Sequence, residues 1–391
     1  MKRRSSELRA ALSAIDRQHL RRTRRDVERF PDPANRTLLH LQGRDVIDFS
    51  SNDYLGLAHH PELVEAMAAC AARCGVGSGA AHLITGHGIE HAHLEEELAA
   101  YTGRERALLF STGYMANLAL LSTLSGRHES VILDRLSHAS LIDGALLSGA
   151  RLRRFAHNDS GAAAQLLANS RHPVAILATE GVFSMDGDLA PLPELARLAH
   201  EYDAWLVVDD AHGLGVLGAS GRGSLEHWGL ESNAVPVLMG TLGKAFGAFG
   251  AFVAGCADLI ELLLQRARPY IYTTALPQAV AAATRTALRI AQRESWRRER
   301  VLALAGLFRR SAQQAGLQTG EALTPIQPLL LPDEQSALAA QARLFDAGFA
   351  VAAIRPPTVP VGRSRLRITL SAAHTEEQVH ALVGALADTL S

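Results

Sequence analysis

The sequence predicts an α/β fold in which a mostly parallel sheet is covered by helices on both faces and is followed by a smaller α+β region. Three observations predict it. Short apolar runs, each bounded by Gly, Asp, Ser or Thr, recur at 107–110, 131–133, 174–178, 205–208, 236–239 and 251–254, the signature of buried strands. Long amphipathic stretches such as 189–202 separate several of these runs, and strand-helix-strand alternation implies parallel pairing with both faces covered. Around Pro277 the pattern changes to a long arginine-rich helical stretch that reaches about Gly316. Beyond it, strand-like runs at 326–331, 349–354 and 366–370 accompany a helix ending near Phe345 and another from Thr375 to the C-terminus. No internal repeat or low-complexity segment interrupts this order.

A chain of 391 residues exceeds one average domain. The expected division is an N-terminal helical segment over 1–50, a large α/β domain over 51–285 and a C-terminal α+β domain over 286–391. Hydrophobic residues make up 48% and the formal charge is −1, which argues against nucleic-acid binding and against disorder. The cysteines are Cys70, Cys74 and Cys256, with no C-x-x-C, so neither a disulfide framework nor a zinc site is indicated. Cys70 and Cys74 read as one buried helix face. No apolar run long enough to span a membrane and no apolar signal core occur, so the expectation is a cytoplasmic protein with no membrane partner. The basic run Arg21, Arg22, Arg24 and Arg25 is interspersed with Glu7, Asp16, Asp26 and Glu28 nearby. It reads as a solvated helix rather than a transit peptide, with one arginine, Arg22 the candidate, reaching an active site.

In an open α/β sheet ligands bind beyond the carboxyl ends of the strands. The polar residues that follow the expected strands are Ser111-Thr112-Gly113-Tyr114, Asp134, Glu180, Asp209 and Thr241 through Lys244. Ser111 to Tyr114 precede a helical pattern over 115–124, so backbone N–H groups there can hold a phosphate; an ordinary strand-to-helix turn has the same look. The most informative group is Asp209-Asp210-Ala211-His212, then a glycine-rich stretch, then Gly240-Thr241-Leu242-Gly243-Lys244. A lysine in a small-residue loop downstream of a strand-end Asp and His suits pyridoxal phosphate: the amine forms the Schiff base, and the carboxylate keeps the pyridine nitrogen protonated.

Competing motifs are weaker. Gly213-Leu-Gly215-Val-Leu-Gly218 matches a dinucleotide-binding pattern, but Ala-Ser-Gly221-Arg222-Gly223 follows it and opens no helix. Gly243-Lys244 is followed by Ala245, and position 238 is Leu, so the nucleotide phosphate loop fails twice. His87, His91 and His93 have partly helical spacing, yet no Cys or second acidic pair completes a site, and no metal is expected.

Longer stretches carry a resemblance. Phe49-Ser-Ser-Asn52-Asp-Tyr54-Leu-Gly56, Ser137-His138-Ala-Ser140, Thr179-Glu180-Gly-Val-Phe-Ser184-Met-Asp186-Gly-Asp188, Asp209-Asp-Ala-His212-Gly and Thr241-Leu-Gly-Lys244 resemble the α-oxoamine synthases. These pyridoxal-phosphate enzymes condense an amino acid with an acyl thioester and release CO2. Ile354-Arg355-Pro-Pro-Thr358-Val-Pro and Arg365-Leu-Arg367 are most similar to the branch that uses L-alanine and a pimeloyl thioester, on coenzyme A or an acyl carrier protein, in biotin biosynthesis. A sister synthase taking glycine or serine, a transaminase-type or aldolase enzyme with no thioester, a catalytically silent partner subunit and a dehydrogenase are the alternatives.

The resemblance implies fold type I, with a mostly parallel seven-stranded sheet in the large domain. It also implies residue roles. Lys244 carries the cofactor and then serves as base. Asp209 pairs with the pyridine nitrogen, His212 with the phenolic oxygen, and His138 stacks on the ring, a capping role being its alternative. Gly113 and Tyr114 contact the phosphate or hold the ring, and Ser184 and Thr241 add hydrogen bonds. Asn52 and Glu180 line the site of acyl attack. Arg355, with Thr358 and an N-terminal arginine such as Arg22, holds a substrate carboxylate. Tyr272-Thr273-Thr274 resembles the segment that reaches a neighbour's phosphate, so a homodimer is implied.

Overall fold

The computed structural model describes residues 2–18, 20–30 and 37–390, and the chain divides into two compact units. One comprises 52–184 and 188–300; the other comprises 1–51, 185–187 and 301–391.

The first unit is built on seven strands: β1 Arg106–Phe110, β2 Ser130–Asp134, β3 Arg151–Phe155, β4 Val174–Glu180, β5 Trp205–Asp209, β6 Val237–Thr241 and β7 Ala251–Gly255. Their spatial order is β1-β7-β6-β5-β4-β2-β3. Every pair is parallel except those of β7, which runs antiparallel to both β1 and β6. The seven-stranded, mostly parallel sheet expected from the resemblance is present.

Two buried apolar layers explain why these runs form strands. Val131, Leu133, Ile176, Ala178, Val207, Val237 and Met239 enter one layer; Ile132, Leu177, Leu206, Val208 and Leu238 enter the other. The period of two sends alternate residues to opposite faces, and both faces are covered, so the strands read as continuous apolar runs. Helices Gly113–Leu124 and Ala139–Ser148 cover one face, and Leu192–Glu201 the other.

The second unit holds the helix Lys2–Arg17 and two small sheets. One contains Val27–Arg29, Leu38–Leu41, Arg44–Asp48 and Phe349–Ala350; the other pairs Ile326–Leu330 and Ala352–Ile354 on either side of Arg365–Thr369. The run at 349–354, expected as one strand, is therefore two short strands in different sheets, with Val351 as the hinge between them. The helical stretch after Pro277 is likewise two helices, Gln278–Arg293 and Trp296–Gln314. Glu294 ends the first with φ −109° and ψ 65°, outside the helical region. Arg365 is buried within this unit and pairs with Asp186 at 2.6 Å.

Candidate active site

Three adjacent strands end on chemistry. Glu180 closes β4, Asp209 closes β5 and Thr241 closes β6, with Glu180 and Asp209 facing each other as register partners. Asp209 is held by two donors: its Oδ2 accepts from Asn117 Nδ2 at 2.7 Å, and its Oδ1 from the Ala211 amide at 3.1 Å. The next carboxylate turns the other way. Asp210 Oδ2 accepts from the Ser224 amide at 2.7 Å, and the group is packed against Gly181, Gly213 and Gly223. A Cβ at any of these glycines falls within 2.3 Å of an Asp210 oxygen. Burial pushes the Asp210 carboxyl up to about 7. Asp210 thus anchors the loop that leaves β5, and Asp209 faces the site.

His212 and Lys244 meet on this side, with His212 Nε2 2.7 Å from Lys244 Nζ. The loop carrying Lys244 is bound back onto itself by Leu242 N to Gly250 O and Ala248 N to Leu242 O, both 2.9 Å. Gly247, at φ +62°, passes so close to Ala58 that a Cβ would lie 2.4 Å from its nitrogen. Glu180 Oε2 accepts from the Ser184 amide at 3.2 Å. Burial first, and the neighbouring Asp209 second, push the Glu180 carboxyl up to about 8.

His138 caps the helix Ala139–Ser148. Its Nδ1 accepts from the Ser140 amide at 3.3 Å and lies 2.7 Å from Ser140 Oγ. Burial lowers its pKa, Lys244 acting in the same sense and Asp209 against them. The capping role weighed for His138 is therefore real, and the field of Asp209 and Lys244 also reaches its ring.

At the end of β1, Thr112 caps the helix Gly113–Leu124, its Oγ1 accepting from the Met115 amide at 3.2 Å. The other first-turn amides of that helix are available to an anion. Tyr114 is exposed and donates its hydroxyl to Asp143. Thr241 Oγ1 donates to Gly250 O at 3.1 Å. Thr273 and Thr274 follow the short helix Arg268–Ile271, and Thr274 forms an antiparallel bridge with Ala81.

The second unit gathers its own expected residues. Arg22 Nη2 donates to Thr358 Oγ1 at 3.4 Å and to Pro356 O at 3.5 Å, and Arg355 Nη2 donates to Arg21 O at 3.5 Å. Burial, then the Arg22 cation, hold the Arg355 pKa below its usual value. Two guanidinium groups brought this near suit a carboxylate.

Asn117 carries no mark in the sequence reading, and Tyr54 stands in one of the family-like stretches without a role of its own. A lone amide in the apolar stretch 115–124 was the available signal for Asn117, which is fully buried beneath Asp209. Tyr54, also buried, lies 2.6 Å by its Oη from His212 Nδ1. Among the histidines weighed for metal binding, His87 and His91 gather with His82 rather than with His93. His91 already uses both ring nitrogens, accepting from the Gly88 amide and contacting Leu276 O. The dinucleotide-like glycines form turns, Gly215 and Gly218 standing at φ +80° and +83°.

An amine, a buried carboxylate on an adjacent strand, two histidines and a helix N-terminus form a donor set that fits pyridoxal phosphate. Related proteins carry the same implication. The aminotransferase class I and II family matches residues 44–386. An 8-amino-7-oxononanoate synthase of Methylococcus capsulatus (strain Bath) is 57% identical over 381 residues, 97% of each chain. A serine palmitoyltransferase of Sphingomonas wittichii superposes with a TM-score of 0.91 at 31% identity, covering 98% of this chain and 96% of its own. A serine palmitoyltransferase solved with PLP gives 0.89 at 32% identity, covering 94% of this chain and 92% of its own. The fold is shared across both kinds of enzyme, while the far higher sequence identity falls on one side, and the chain belongs to the 8-amino-7-oxononanoate synthases within the class I and II aminotransferase family.

Proposed function

We propose that this pyridoxal-phosphate-dependent acyltransferase of the biotin pathway condenses L-alanine with a pimeloyl thioester to give 8-amino-7-oxononanoate, CO2 and the free carrier thiol. The carrier is coenzyme A or an acyl carrier protein. The observation that supports this reading most strongly is Lys244 lying 2.7 Å from His212, in the loop after the strand beside Asp209, in a chain so similar in sequence to synthases of that name.

When bound, the cofactor supplies an electron sink for the carbanion formed at the amino acid's Cα. Lys244 then has two tasks: it holds the cofactor covalently between turnovers, and as a free amine it accepts the Cα proton. Asp209, fixed by Asn117 and the Ala211 amide, would pair with the pyridine nitrogen and favour its protonated form. His212 would donate toward the phenolic oxygen, and His138 would hold the ring. Gly113 and Tyr114 hold the phosphate end, with Ser184 and Thr241 contributing hydroxyls. Asn52 and Glu180 face the acyl carbonyl; with its carboxyl pushed up to about 8, Glu180 can offer a proton where a carboxylate would repel the developing oxyanion. Arg355, Arg22 and Thr358 bind a substrate carboxylate. The new bond joins alanine Cα to the acyl carbon as the carbon–sulfur bond breaks and the thiolate leaves, the alanine carboxylate departs as CO2, and the proton held by Lys244 returns to the same carbon, which restores the free amine.

The active form is a homodimer in which Thr273 and Thr274 reach the partner's phosphate. Val76, Ile84 and Tyr272 are 85%, 75% and 71% exposed, and the segments that carry them are joined by the Ala81–Thr274 bridge. An apolar patch of this kind favours a protein partner.

The deciding experiment supplies pimeloyl thioester with alanine, glycine or serine and identifies products by mass spectrometry. The expected result is 8-amino-7-oxononanoate from alanine. The structural likeness to serine palmitoyltransferases favours one rival reading, and a product formed only from serine would establish it. Borohydride reduction should fix the cofactor permanently on Lys244, read by peptide mass; a label on another lysine removes that assignment.

A further inference from the structure

The hydrogen bonds of His212 continue past the lysine into the interior. On one side Nε2 is 2.7 Å from Lys244 Nζ; on the other Nδ1 is 2.6 Å from Tyr54 Oη, which also lies 3.3 Å from Asn52 Oδ1. Tyr54 is fully buried. Its backbone is fixed by Tyr54 N to Asn52 O at 2.8 Å, by Asp53, whose carboxylate accepts from the Leu57 and Ala58 amides, and by Arg297, which donates to Leu55 O at 3.0 Å. The hydroxyl is therefore held in place against the imidazole.

A tyrosine hydroxyl carries one proton, and here both His212 Nδ1 and Asn52 Oδ1 stand within reach. The 2.6 Å contact has the length of a strong hydrogen bond, and the 3.3 Å contact lies beyond the usual range. We propose that Tyr54 is a positioning residue that donates its proton to His212 Nδ1 and thereby locks the imidazole as the Nε2–H tautomer. Nε2 then always presents a donor to the site. Toward Lys244 that donor is matched by the lone pair of a neutral amine and not by an ammonium, so the lock favours the form of lysine that can take up a proton. Toward a cofactor phenolic oxygen it offers the hydrogen bond expected of His212. This inference rests on the roles proposed above for His212 and Lys244. It involves no bond-breaking step.

The full chain labelled with 15N-histidine tests it by two-bond 1H–15N correlation at about pH 8, with and without bound pyridoxal phosphate. Signals of His212 are assigned by their loss in His212→Asn. The expected pattern is a protonated Nε2 and a bare Nδ1 in both preparations. Tyr54→Phe, which keeps the ring and removes the hydroxyl, should give a mixture of the two tautomers. A merely structural tyrosine would alter stability and leave the tautomer as it was. An Nδ1–H tautomer in the unsubstituted chain, or an unchanged Nε2–H tautomer in folded Tyr54→Phe, overturns the proposal. If Tyr54→Phe does not fold, the spectrum of the unsubstituted chain still decides. The measurement uses neither alanine nor thioester, so failure of the substrate reading in the product assay is distinguishable from failure here.

Discussion

Asp209 and Asp210 are chemically identical neighbours with opposite duties, and their surroundings divide the work. Asp210 is enclosed by three glycines and the Ser224 amide, while Asp209 sits at a strand end with Asn117 as its side-chain donor among the described residues. Replacing Asp209 with Asn keeps its shape and removes the charge proposed to hold the pyridine nitrogen protonated. Turnover should fall on the order of 10²-fold or more, the scale seen when preorganised electrostatic groups are lost. Near-normal turnover in that variant would mean the ring nitrogen is held elsewhere. Arg355→Lys examines the other end of the substrate. The charge remains but the paired, planar hydrogen bonds do not. With a charge-assisted bond worth about 1.5–3 kcal/mol, the alanine dissociation constant should rise roughly ten- to a hundredfold. Titration followed by the cofactor's visible absorption reads this directly, and an unchanged constant would pass the carboxylate to Arg22.

The element that leaves β4 is held by an ion cluster that makes its stability depend on pH. His157 lies 3.1 Å from Asp134 and 2.7 Å from Asp188, and Asn158 donates to Asp188 and to Leu189 O. Burial works to lower the His157 pKa, but the hydrogen bonds to Asp134 and Asp188 prevail and raise it to about 10. A histidine whose folded pKa exceeds the unfolded value of about 6.5 binds its proton more tightly when folded. Its stabilisation is complete below about pH 6.5 and is lost as the pH rises through about 10. His157→Gln should therefore melt a few degrees below the unsubstituted chain at about pH 6, with the gap closing toward pH 10. A gap independent of pH would show that packing against Phe183, not charge, is what His157 contributes. The sequence marks Asp134 as a strand-end residue facing a ligand, whereas the structure pairs it with His157; the cluster itself is not legible because its members lie on three separate segments. The same division explains what was legible at the level of strands. Six strands of the large sheet announce themselves because both their faces are buried. β3, Arg151–Phe155, is a charged edge strand in which Phe155 alone is buried, so it has no apolar run to find; its arginines suit an edge that must not pair further. The short strands at Val27–Arg29, Leu38–Leu41 and Arg44–Asp48 were missed for a related reason, since only Leu39, Leu41 and Val46 form their small buried cluster. At the site, Lys244, Asp209 and His212 could be read because they follow strands in a recognisable order. Asn117 and Tyr54 act through side chains already assigned, and only three-dimensional contact reveals what they do.

At the scale of the whole molecule, the proposed homodimer makes a prediction that no single chain can satisfy. If Thr273 and Thr274 serve the partner's phosphate while Lys244 serves its own site, the two kinds of damage lie in different subunits of each site. Lys244→Ala should be inactive, and the double variant Thr273→Ala with Thr274→Ala should bind cofactor weakly and turn over slowly. In a mixed dimer of the two, one site receives both lesions and the other receives neither. Equal amounts unfolded together and refolded at random form hybrids in about half of the dimers, each with one sound site, so activity should recover to about a quarter of that of the unsubstituted protein. The recovery must depend on subunit exchange: mixing the folded variants without unfolding should restore much less. Activity equal to the mean of the two parents after refolding would place Thr273 and Thr274 at their own subunit's site or at none. Light scattering that finds only monomers at working concentration would remove the shared site altogether.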